Sequence, residues 1–176
     1  MKRIRWGTVA VFALVATAAV AVRQERKEVP EYEAKAAILY NFCVYAEWPA
    51  AAFAANNSPI TIGIVGKDPF GEALEKTIKD HTAQKRKIEI LRFESVKVMK
   101  PCHIVFLPAT EKVHLSDVVA GLKGSNSLLV GESDGFAAKG GVVNLVLEEK
   151  RIRLESNPDA AERAGIKLGA KLLKLS

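Results

Sequence analysis

Apolar residues between positions 31 and 48 recur at spacings of four and three, through Tyr32, Ala36, Leu39, Cys43 and Ala46. A second stripe runs beside them through Ile38, Phe42 and Tyr45. The pattern predicts a helix over 31–48 whose polar surface is limited to Glu31, Glu33, Lys35, Asn41 and Glu47. A helix apolar over so much of its circumference is buried deeply, or buried partly by another chain. The Trp48-Pro49 pair closes it, because proline disfavours helical geometry in the residue before it.

Beyond this helix the period changes. The β-branched run at 60–65 predicts a strand, Gly66-Lys67-Asp68-Pro69 a turn, and Phe70, Leu74 and Ile78 a helix over 70–79. Alternation at 87–93 and a continuous apolar run at 103–107 predict two more strands, the second central in a sheet. A helix over 113–122 and a strand over 127–130 follow. Segments 142–147 and 151–154 read as a hairpin across 148–150. Asn157-Pro158-Asp159 starts a helix that stops at Gly165, since asparagine accepts an amide hydrogen bond at the cap and proline suits the first turn. A last short helix is expected over 170–175. Strands alternating with helices predict a three-layer α/β/α single domain over 31–176, with a mixed, mostly parallel sheet ending in a β-hairpin and C-terminal helices.

The first 21 residues have another character. Lys2, Arg3 and Arg5 precede an apolar run from Trp6 to Val20, and Ala19-Val20-Ala21 supplies small residues where a signal peptidase reads. This is the layout of a secretory signal peptide, with an uncleaved anchor as the alternative and residues 22–30 as a flexible leader. Both place the fold outside the cytoplasm, where a nucleotide-dependent enzyme has no supply. The chain carries a net charge of +6. Without Lys2, Arg3 and Arg5 the balance is only +3, which is no nucleic-acid footprint.

Candidate chemistry is sparse. Gly63, Gly66 and Gly71 fit neither dinucleotide nor phosphate-loop spacing, and Pro69 lacks a backbone donor such a loop would use. His81, His103 and His114 are scattered and show no metal-ligand spacing, and no serine sits in a nucleophile elbow. No cofactor, metal or catalytic residue is expected. Cys43 and Cys102 either pair in a disulfide or remain two thiols, with Cys43 a small buried hydrophobe. On the last hairpin strand Arg151, Arg153 and Glu155 share one face, while Ile152 and Leu154 take the other. That face is either a solvated surface with cross-strand ion pairs or a polar patch offered to a partner next to Asn157.

Several segments together resemble the YfiR family of exported regulators. They are Ala36-Ala37-Ile38-Leu39-Tyr40-Asn41-Phe42 with Glu47-Trp48-Pro49, Gly66-Lys67-Asp68-Pro69-Phe70-Gly71, and Pro101-Cys102-His103-Ile104-Val105-Phe106. Ser133-Asp134 with Phe136, Gly140-Gly141, Arg153-Leu154-Glu155-Ser156-Asn157 and Lys171-Leu172-Leu173-Lys174-Leu175 complete the order. The resemblance implies a periplasmic α/β domain, often a homodimer, that is not an enzyme. It would bind the periplasmic part of an inner-membrane signalling protein such as a diguanylate cyclase and repress it, lowering cyclic di-GMP and biofilm output. It further implies partner contact at Arg153, Glu155 and Asn157, and a core or dimer-seam role for Tyr40, Phe42 and Trp48. Cys43 departs from the usual family cysteines, and Gly169-Ala170 stands where a Ser-Ser pair is common. The rival function class is a periplasmic small-molecule receptor feeding a sensor kinase or transporter, with an apolar pocket near Trp48 or Phe136.

Overall fold

A computed structural model describes residues 30–173; the expected signal peptide and the leader up to residue 29 lie outside them. The chain runs α1 (Glu31–Tyr45), β1 (Ala46–Glu47), β2 (Ile60–Val65), α2 (Ala73–Ile78), β3 (Thr82–Ala83) and β4 (Arg86–Phe93). Then come β5 (Ile104–Leu107), α3 (Leu115–Gly121), β6 (Leu128–Gly131), β7 (Val143–Glu148), β8 (Arg151–Ser156), α4 (Pro158–Arg163), β9 (Lys167–Leu168) and α5 (Ala170–Leu173). The main sheet has seven strands in the order β3-β4-β2-β5-β6-β7-β8. Strands β4, β2, β5, β6 and β7 are parallel, and β3 and β8 are antiparallel edges. The expected α/β fold is what forms.

Register explains how the layers separate. Ile62 pairs with Ile104 and Ile64 with Phe106, and those two pair in turn with Leu128 and Val130, so all six point to one face. Helices α1 and α2 cover that face: Tyr32 of α1 meets Phe70 edge-on at 5.5 Å, and Phe70 meets Phe106 at 4.8 Å. Gly63, Val105, Leu129 and Gly131 have the opposite parity and face α3 and the loop 132–141. There Phe136 is fully buried. Its ring occupies the space a Cβ would need at Gly131 (2.2 Å) and Gly141 (2.1 Å), so both positions require glycine for close approach.

Three elements differ from the sequence pattern. The first helix stops at Tyr45, not Trp48, because Ala46 and Glu47 pair antiparallel with Leu168 and Lys167. Gly169 permits this seam, since a Cβ there would lie 2.9 Å from the Tyr45 carbonyl oxygen. The second helix begins at Ala73, after a turn in which Asp68 accepts the Phe70 amide at 2.7 Å. The third is a 3-10 segment over Ala109–His114 that becomes α-helical only at Leu115.

Lys35 is the fourth correction: placed on the polar surface by its pattern, it is 2% exposed. Cys43 and Cys102 are both free and buried. Cys43 lies on α1, whereas the Cys102 sulfur lies against Gly63 on the opposite face, 2.9 Å from where a Cβ would stand. The sheet stands between the two thiols, so of the two alternatives the bridge is the one not formed. Burial pushes the Cys43 thiol up to about 12 and raises that of Cys102 as well.

Candidate functional site

The β7–β8 hairpin turns on Glu149 and Lys150, whose φ values of +46° and +65° form the left-handed pair that a two-residue turn requires. The turn fixes the register: Asn144 lies opposite Glu155, Val146 opposite Arg153 and Glu148 opposite Arg151. The period of two therefore lines up one polar face along the outer end of the sheet. On it the Arg153 guanidinium donates to Glu148 at 2.8 Å and to Glu155 at 3.3 Å, and the Asn144 amide donates to the other Glu155 oxygen at 3.1 Å. Arg153 is exposed, Glu155 is half-buried and Asn144 is buried. The Asn144 Oδ1 has no hydrogen-bond partner among the described residues. The patch is thus anchored at its inner end and open at its outer end.

Arg153 and Glu155 are brought together here, but Asn157 is turned to another task. Its Oδ1 accepts the Ala160 amide at 3.0 Å, capping α4, and its Nδ2 donates to the Ala137 carbonyl at 2.7 Å, tying the 132–141 loop to the end of β8. Phe42 and Trp48 lie in the core, the Trp48 indole donating to the His103 carbonyl at 3.2 Å. Tyr40 is half-buried and meets His81 edge-on at 5.5 Å. His114 is exposed beside Asp117, so the three histidines occupy three separate places.

Two polar clusters escaped the sequence pattern. At the carboxyl ends of β5 and β6 the Lys35 ammonium sits between Glu31 and Glu132, 2.5 Å from the latter. Glu132 also accepts from the Tyr32 hydroxyl at 3.3 Å and the Ala109 amide at 3.1 Å. Burial, with Glu132 and Glu31 alongside, pushes the Tyr32 phenol up to about 12. At the opposite end of the strands, just before β5, His103 stacks on Phe53 at 4.6 Å, and the Arg86 guanidinium lies over that ring, 3.8 Å from its centroid. The long-range members of each cluster have no local signature: Glu132 reaches Lys35 across 97 positions, and Phe53, Arg86 and His103 come from three parts of the chain.

The fold, the hairpin patch and the buried clusters are those of a chain that matches the family described as YfiR/HmsC-like over residues 32–176. The chain belongs to this family. Membership supports a periplasmic protein that is regulatory rather than catalytic, in general terms. Among solved structures, a conserved domain protein from Vibrio cholerae is similar in fold, with a TM-score of 0.51 and 12% identity. The match covers 66% of this chain and 53% of that one, so the chain spans about half the length of this neighbour. No curated protein matches. Among the described residues no helix is long and apolar enough to cross a membrane.

Proposed function

We propose that this YfiR/HmsC-like protein binds the periplasmic part of an inner-membrane diguanylate cyclase and holds it inactive, contacting it through the Arg151, Arg153 and Glu155 face of β8. The observation that carries this reading is the ordered charge patch on an edge strand. Arg153 is held by Glu148 and Glu155 before any partner arrives, which reduces the side-chain entropy lost on contact. The outer backbone edge of β8 has no strand neighbour among the described residues, so a partner strand can add to it. Asn157 acts from behind the patch, by fixing where β8 ends.

Binding represses only if the inactive conformation of the cyclase is bound more tightly, typically with a coupling of about 1–3 kcal/mol. Deleting the gene is expected to raise cyclic di-GMP. Complementation with Glu155→Lys is expected to leave it raised, while the purified variant melts within a few degrees of the parent. A deletion strain with unchanged cyclic di-GMP removes the reading. A fully active Glu155→Lys protein removes the surface but not the function.

A further inference from the structure

A cleft of about 430 Å³ lies between α3 and α4, within the range of roughly 300–1,000 Å³ usual for small-molecule sites. Val119, Leu122 and Leu129 give it an apolar wall, and Lys123, Lys139 and Arg163 stand around it. No carboxylate is among its lining residues. The three cations are exposed, and none has an ion-pair partner among the described residues.

Arg163 stands in the last turn of α4 and Lys123 just beyond the end of α3, where basic residues are favoured for local reasons. The carbonyls there are already engaged, however. The Ser125 hydroxyl donates to the Leu122 oxygen at 2.6 Å, and the Asn126 amide donates to the Ala164 oxygen at 2.9 Å. Local capping therefore leaves the charges of Lys123 and Arg163 available, and Lys139 comes from a loop and adds a third. An apolar wall under three cations with no opposing acid complements one kind of molecule.

We propose that this cleft binds a single-chain amphiphile with an anionic head group, its hydrocarbon tail against Val119, Leu122 and Leu129 and its head among Lys123, Lys139 and Arg163. The site shares no lining residue with the β8 patch and is argued without it. Carboxylate and phosphate monoester heads share the required chemistry, and a titration separates them.

The test is calorimetric titration of the purified full-length protein with decanoate, decyl phosphate, decanol and decyltrimethylammonium. Saturable binding is expected for one or both anions, with decanol at least about tenfold weaker and the cation weaker still. Tighter binding of decyl phosphate than of decanoate assigns a phosphate head, and the reverse a carboxylate. The Lys123→Glu, Arg163→Glu double variant changes exposed side chains only and should lose about tenfold or more in anion affinity with its melting temperature little altered. Equal binding of decanol and the anions overturns the proposal. So does undiminished anion binding by the double variant, or no saturable binding of either anion below about 1 mM.

Discussion

Lys35 and Glu132 form an ion pair with side chains only 3% and 5% exposed, which makes the two partners interdependent. Removing one charge leaves the other desolvated and unmatched, and that costs more than the pair contributes. Lys35→Met is therefore expected to lower stability by about 3–5 kcal/mol in urea unfolding, and the Lys35→Met, Glu132→Gln double variant by less. A single variant within about 1 kcal/mol of the parent would contradict so dry a site. His103 makes a pH argument at the same scale. Its Nδ1 accepts the Thr61 amide at 3.1 Å, so the neutral ring carries its proton on Nε2. Burial first, and the nearby Arg86 charge after it, hold its pKa below the ordinary 6.5, with a backbone contact at Ala52 opposing them. A folded-state value below the unfolded one means that the unfolded chain takes up the proton more readily. The contribution to stability is then complete above about pH 6.5 and is lost as pH falls through the folded-state value. The urea midpoint should stay level above neutrality and fall on acidification. His103→Gln should flatten part of that fall, and an unaltered slope in the variant would assign the effect elsewhere.

Elements differ in how far the sequence announces them. The parallel strands β2, β5 and β6 are legible because strands covered on both faces read as continuous apolar runs. Strands β1, β3 and β9 have two residues each, too few for any period, and exist through their partners. The turn before β4 uses Gln84 and Lys85 at positive φ, without the glycine or asparagine that marks such turns. The same division holds at the site. Arg153 and Glu155 could be placed on one face by alternation alone, whereas Lys35 meets Glu132 across 97 positions and nothing local distinguishes it from a surface lysine. Asn157 shows an element depending on one side chain. Asn157→Ala should cost about 1 kcal/mol for the cap alone, and more because the 132–141 loop loses its tie to Ala137. Asn157→Asp keeps the acceptor for Ala160 but not the donor to Ala137. Hydrogen exchange should then show α4 protected and the loop newly open. Equal loss of protection in both would mean that the cap and the tie are not separable.

At the scale of the whole molecule, the sheet decides what its two thiols can do. Cys43 and Cys102 are the only cysteines in the chain, and they lie on opposite sides of β2 and β5. Were they bridged, they would close a loop of about 60 residues, and reduction would remove about 4 kcal/mol by the chain-entropy argument. A loss of that size would displace the melting temperature by well over 5 °C in a domain this small. The expectation is the reverse. Reductant should leave the melting temperature unchanged, and a thiol reagent should modify neither cysteine in the native protein and both after unfolding. The raised pKa values of both groups work in the same direction, since the reactive thiolate is suppressed at neutral pH. A native protein that loses stability under reductant would require Cys102 to cross to the α1 side, and with it a register in which Gly63 no longer faces away from that helix. If the thiols behave as expected, oxidation within this chain cannot set its activity while the sheet is intact. On the two proposals made above, a change in the envelope then acts through what the protein binds, at the β8 patch or in the cleft between α3 and α4.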